Sequence, residues 1–423
     1  MSLLVKNCRL YIKDKAYVKN ILIKNNKIAK ITSKVIFANS TIDAKNNFVL
    51  PGLIDCHVHF REPGLTNKED FLTGSMAAAK GGVTTFLDMP NTSPPTTTIE
   101  ALEEKRELAA KSIVNYGFNF GATNDNLAGI KNAKNIAAVK LYMDYTTGDL
   151  KVSDFEVIRE VLKTSRMTII HAEDESVKNA VDILIKNKIR NKIHFAHISS
   201  QKELRYAKSN NDLRNSSRVS QVTVEVTPHH LFMSDKDIQT LGAFAEMKPG
   251  LKTEQDQKAL WHGIKNGIVD VIASDHAPHL IEEKELANYP FGVPGVETML
   301  PLLLDAFNNN KIGIPTVIKL CCENPARIFR IKNKGFLKEG YDADLVIVDL
   351  DKREAVRSED LLTKCKWSPF EGKILKGWAT TTIVNGNVVY DKGEVFDVKG
   401  REIEYARQNR RNIAKSQCCN VKN

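Results

Sequence analysis

Two histidines spaced i, i+2, His57 and His59, close an apolar run that begins at Leu53. Side chains on a strand alternate between faces, so the pair emerges on one face and can grip one metal ion. Alone, His-x-His is a common coincidence. Four further groups with metal-binding chemistry follow: Lys140, His171, His197 and Asp275, each in or at the end of its own predicted strand. Such a set needs a fold that gathers strand ends.

Lys140 lies in the apolar stretch 137–142, where an unpaired ammonium is costly. Two readings are open. One is a salt bridge to Asp144. In the other, the amine is kept neutral by burial and captures carbon dioxide as a carbamate, whose two anionic oxygens can bridge two metals. His57 and His59 would then serve one metal, and His171 and His197 the second. Two metals ~3.5–4 Å apart can share a water acidified toward neutrality and polarise a carbonyl. Zinc suits histidine and carboxylate donors best. Asp275 would bind the first metal and carry a proton to a departing nitrogen. The competing reading makes Ser274-Asp275 a helix cap.

The elements that must position these groups are legible as alternation. Predicted strands cover 53–60, 84–88, 115–121, 137–142, 167–172, 192–197, 221–226 and 271–275; helical patterns at 98–111, 153–164, 176–186 and 255–266 separate several of them. Eight strands alternating with helices predict an α/β fold, a (β/α)8 TIM barrel whose chemistry sits at the C-terminal strand ends. A doubly wound sheet would want Gly-x-Gly-x-x-Gly after the first strand, and none is there. Short strands at 3–5, 16–23, 27–32 and 48–50, with more at 344–349 and 382–390, predict a small β-rich domain built by both termini. Turns are expected at Asn25-Asn26 and Asn385-Gly386. The domain division is 1–50 and 335–423 for the small domain and tail, and 51–334 for the barrel.

A net charge of +10 raises nucleic-acid binding, but the Lys and Arg residues interleave with Asp and Glu and form no stripe. Seven cysteines, with adjacent pairs at Cys321-Cys322 and Cys418-Cys419, suit neither a disulfide framework nor a metal knuckle. Lys6 and Arg9 interrupt the first apolar run, and no run approaches the ~18 residues of a membrane span. The expectation is a cytoplasmic, soluble protein with no nucleic-acid or membrane partner.

The motifs His-Val-His-Phe-Arg-Glu-Pro-Gly (57–64), Met-Pro-Asn-Thr (89–92), Val-Lys-Leu-Tyr (139–142), His-Ala-Glu (171–173), Ala-His-Ile (196–198) and Ala-Ser-Asp-His-Ala-Pro-His (273–279) resemble those of the dihydroorotase family (class I-like) in the amidohydrolase superfamily. The stretch 340–349 resembles the superfamily's returning β-domain segment. The resemblance spans essentially the whole chain. It implies reversible cyclisation of N-carbamoyl-L-aspartate to (S)-dihydroorotate plus water, the third step of de novo pyrimidine biosynthesis. It also implies two Zn2+ per subunit, held by His57, His59, Lys140, His171, His197 and Asp275 and bridged by carbamylated Lys140 and hydroxide. Arg61, Asn91 and His279 would bind substrate, and Phe291 and Gly292 would contact its ring through main-chain groups. Association with other pyrimidine-pathway enzymes stays open.

One position departs from the family pattern. Lys248 stands where Asn or Arg is usual, and lacks the two-pronged geometry of Arg. Asp144 is the reserve candidate for the metal bridge. Glu225 and Asp88 are candidates to orient ligands; His229 and His230 follow the seventh strand, where a structural reading is favoured over a role in the pocket. His194 and His262 are expected to be structural or exposed, and His276, pointing away from Asp275 if the strand continues, to pack or to support a ligand without ligating. Hydantoinase or allantoinase activity, and a non-catalytic scaffold, are the alternatives.

Overall fold

A computed structural model describes residues 2–12, 15–146, 148–208 and 222–406. Gln221, the expected start of one strand, and the Cys418-Cys419 pair lie outside the described residues.

The chain opens in β structure: β1 (Ser2–Ile12), β2 (Lys15–Lys24), β3 (Lys27–Thr32), β4 (Ser40–Asp43) and β5 (Phe48–Pro51). β2 turns into β3 at Asn25 and Asn26, with φ of 50° and 64°. Two consecutive left-handed residues make the turn whose twist matches an antiparallel pair, and asparagine tolerates them. The C-terminal strands are β15 (Leu345–Ala355), β16 (Ile374–Val384), β17 (Asn387–Asp391) and β18 (Glu394–Val395) once the barrel strands β6 to β14 are counted. Asn385 and Gly386, at φ of 50° and 78°, form the same kind of turn between β16 and β17. β5 pairs antiparallel with β15, from Pro51 opposite Leu345 to Phe48 opposite Val348. Both ends of the chain therefore build one sheet, in the order β18-β17-β16-β15-β5-β1-β2-β3, with β4 against β1. Its own core contains Val5, Leu10, Ile21, Val49, Leu345 and Ile383.

The middle of the chain is the barrel. Its strands are β6 (Leu53–Val58), β7 (Val83–Asp88), β8 (Asn115–Phe118) continued by β9 (Phe120–Gly121), β10 (Val139–Tyr142), β11 (Met167–His171), β12 (Lys192–Phe195), β13 (Val222–Val226) and β14 (Val271–Ile272). Neighbours pair in parallel. A parallel bridge between Val58 and His276, with His59 N–H donating to His276 O at 2.8 Å, closes the last strand on the first. Helices follow the strands: Asp70 caps Phe71–Lys80 through Leu72 and Thr73 amides, and Thr98 caps Ile99–Ala109. A large apolar cluster fills the space between helices and strands, and a second, including Ile54, Leu87, Ile169 and Val271, runs across the strands themselves.

The observed strands stop earlier than the apolar runs predict. β12 ends at Phe195 and β14 at Ile272, because His197 and Asp275 adopt φ of 35° and 47° and leave the ladder. The third barrel strand is interrupted at Asn119, whose side-chain amide donates to Asp88 O. Among the described residues, no helix is long and apolar enough to cross a membrane.

Candidate active site

Backbone that has just left the sheet builds the mouth of the barrel. Arg61, His197 and Asp275 have φ of 64°, 35° and 47°, a region that costs a non-glycine residue about 1–3 kcal/mol. The turn aims their side chains inward. One cavity is lined jointly by His57, His59, Lys140, His171, His197 and Asp275, and all six are buried.

The hydrogen bonds fix how the first pair presents itself. Nδ1 of His57 lies 2.8 Å from Glu225 Oε1, and Nδ1 of His59 lies 2.6 Å from Asn91 Oδ1. Each ring thus donates through Nδ1 and keeps its Nε2 lone pair. Those lone pairs converge on Asp275 Oδ1, at 3.3 and 3.2 Å. Three such donors within reach of one point suit a divalent cation.

The other side of the cavity is arranged differently. His171 Nδ1 and His197 Nε2 lie 2.9 Å apart, while His171 Nε2, His197 Nδ1 and Lys140 Nζ are buried without a hydrogen-bond partner. Burial lowers His57, and burial with nearby cations holds His59, His171 and His197 well below the usual imidazole range. These shifts favour the neutral ring, the form that metal ligation requires. Burial also lowers the Lys140 amine to about 8. The alternative reading, a salt bridge to Asp144, does not form: Asp144 accepts from Glu173 N–H at 2.7 Å and Ser176 Oγ at 2.9 Å. Nor does Asp275 cap a helix, since the next one begins at Ile281. Burial raises the Asp275 carboxyl, opposed by His57 and Lys140.

A second layer holds these groups. Glu225 Oε1 also accepts the His197 backbone N–H at 3.0 Å, and its Oε2 faces His194 Nε2 and Cys56 Sγ at 3.2 and 3.3 Å. Burial pushes this carboxyl up, but His57 and His194 outweigh it and hold it well below the usual range. His194 is therefore placed in the barrel interior, against Glu225 and Cys56. His276 is also buried, accepting at Nδ1 from Gly295 N–H, and His262 is exposed on its helix. His230 bridges Thr227 Oγ1 and Pro249 O, while buried His229 has an unpartnered Nε2. Asp88 accepts from Phe60 N–H at 2.8 Å and pairs with Lys105 at 2.6 Å, both side chains fully buried.

Of the expected substrate contacts, Arg61, Asn91, Phe291 and Gly292 line the cavity, and so does Lys248, its ammonium 4.9 Å from the Phe291 ring centre. Arg61 does not pair with Glu62, which binds Lys111 at 2.7 Å. His279 stands behind Arg61, fully buried, its Nε2 3.0 Å from Arg61 Nη2. The Gly292 N–H is engaged by Glu246 O at 3.0 Å. Glycine is required there: at φ of 138°, a Cβ would meet Ala277 O at 2.6 Å. Tyr142, Thr146, Met247 and Ala277 also line the cavity and were not singled out in the sequence. Tyr142 was detectable, because it lies two positions beyond Lys140 and so shares its face.

A closed barrel with imidazoles, a carboxylate and a buried amine at its C-terminal mouth has the form of a hydrolase barrel whose residues could hold a metal. The amidohydrolase family model matches residues 48–389, and the chain belongs to that family. Within it, the chain is 38% identical over 439 aligned residues to the dihydroorotase of Methanosarcina mazei, covering 94% of this chain and 96% of that protein. It is 36% identical to the dihydroorotase of Methanosarcina acetivorans, covering 94% of each. Among solved structures, the L-hydantoinase (dihydropyrimidinase) from Arthrobacter aurescens superposes with a TM-score of 0.89 at 28% identity, covering 95% of this chain and 99% of that one.

Proposed function

We propose that the chain is a dihydroorotase, interconverting N-carbamoyl-L-aspartate and (S)-dihydroorotate in cytoplasmic pyrimidine synthesis. The observation that carries this reading is the convergence of six chemically suited side chains on one cavity that Arg61 also lines. We read His57, His59 and Asp275 as ligands of one zinc ion, His171 and His197 as ligands of a second, and carbamylated Lys140 as ligand to both. Bound there, zinc supplies Lewis-acid polarisation of an amide carbonyl and makes water a stronger acid.

The protein's own groups do the rest. Asp275, raised by burial, moves a proton to the ring nitrogen as the amide opens and takes it back as the ring closes. Glu225 and Asn91 lock the His57 and His59 tautomers that leave Nε2 free to ligate. Arg61 and Asn91 meet the exocyclic carboxylate, which hydantoin, dihydrouracil and allantoin lack. His279 and Pro278 O hold Arg61 in position, at 3.0 Å each.

The second reading is a hydantoinase, favoured by the TM-score of 0.89 to a solved L-hydantoinase. Turnover of dihydroorotate, hydantoin and allantoin by the zinc-loaded protein separates them. A higher kcat/KM on dihydroorotate supports the proposal, and preference for either other ring overturns it.

A further inference from the structure

Arg61 arrives at the cavity with one side already committed. Nε donates to Pro278 O and Nη2 to His279, each at 3.0 Å, so two of the five guanidinium N–H groups face the protein and three, on Nη1 and Nη2, are left for a ligand. A carboxylate offers about four acceptor positions on two oxygens, which leaves room for another donor beside those three N–H groups.

Tyr142 is the phenol that lines this cavity. Its ring is held in place: it packs on His171 with centroids 5.8 Å apart, and Lys140 Nζ lies 5.1 Å from its centre. Only 2% of the residue is exposed, and its hydroxyl has no hydrogen-bond partner among the described residues. A buried hydroxyl left unmatched is destabilising, and the strand is held without it, by pairing of Tyr142 with His171 and by Val152 N–H donating to Tyr142 O. Its parity with Lys140 turns it to the same face as that amine.

We infer that Tyr142 is a specificity-determining residue whose hydroxyl donates a hydrogen bond to the carboxylate of bound dihydroorotate, beside Arg61. The assignment rests on the dihydroorotase reading and adds to it the donor that selects an acidic ring over a neutral one. Phenylalanine at this position would keep the packing on His171 and remove only the donor.

The test is Tyr142→Phe in the zinc-loaded enzyme, with metal content and melting temperature measured alongside. The KM for dihydroorotate is expected to rise about 10-fold or more, the effect of losing a hydrogen bond to a charged group, with kcat changed by less than about threefold. Equilibrium binding of orotate, which carries the same carboxylate, is expected to weaken by a similar factor, a readout independent of turnover. Unchanged KM and orotate affinity, or a loss carried mainly in kcat, overturn the assignment while leaving the dihydroorotase reading intact. Wild-type protein that does not turn over dihydroorotate sinks both.

Discussion

One oxygen of Glu225 joins two strands of the mouth: Oε1 accepts from Nδ1 of His57 at 2.8 Å and from the backbone N–H of His197 at 3.0 Å. It fixes the tautomer of one proposed ligand and the strained turn that presents another, where φ is 35°. Glutamine would keep the volume and lose the charge. Glu225→Gln is expected to weaken zinc binding about 10- to 100-fold, measured by competition with a chromogenic chelator. Unaltered affinity would show that His57 does not need the carboxylate.

Asp275 is assigned both a metal contact and a proton. Asparagine can still offer an oxygen but cannot carry the proton, so the two roles separate in Asp275→Asn. Turnover should fall by a factor of about 10² to 10⁴, with circular dichroism unchanged and much of the zinc retained. Near-wild-type kcat in the metal-loaded variant would be falsifying for proton transfer by Asp275.

Lys140 sets a pH dependence for assembly. Only the neutral amine reacts with carbon dioxide, and burial brings its pKa from 10.5 to about 8 in the metal-free chain. Below that value the ammonium dominates, so carbamate formation slows about tenfold per pH unit; above it the rate levels off. Reactivation of chelator-stripped enzyme by zinc, at fixed dissolved carbon dioxide, should trace this rise and plateau. A profile flat from pH 6 to 9 would argue against Lys140 as the carbon dioxide acceptor.

The barrel and the cavity's principal groups were readable from the chain because strand parity and strand ends are local properties. His57 and His59 share a face by spacing alone, and Asn25-Asn26 and Asn385-Gly386 announce their turns by residue type. Other features depend on long-range partners. The salt-bridge reading of Lys140 turned on where Asp144 points, and Asp144 is taken by Glu173 and Ser176. The contact between His279 and Arg61, 3.0 Å apart, joins positions 218 residues apart in the chain and is not visible in the local pattern. Lys105 is the extreme case: on the helix Ile99–Ala109 it reads as an ordinary solvated lysine, and it is fully buried.

That lysine carries the last prediction. Lys105 Nζ lies 2.6 Å from Asp88 and donates to Met89 O at 2.8 Å, while Asp88 accepts from the Phe60 amide that follows His59. The pair ties a barrel helix to the strand ends beneath the site. Lys105→Met leaves a carboxylate buried without its partner, at an expected cost of about 3–5 kcal/mol in urea unfolding. Burial already raises Asp88, with Lys105 opposing, so removing Lys105 raises it further. A folded-state pKa above the unfolded value makes stability fall as pH climbs between the two, because the folded protein then binds more protons. The gap between wild type and variant should therefore be wider at pH 8 than at pH 5, and adding Asp88→Asn should narrow it at pH 8. An equal gap at both pH values would mean that the ammonium acts through packing and its bond to Met89 O, with the Asp88 charge playing no part.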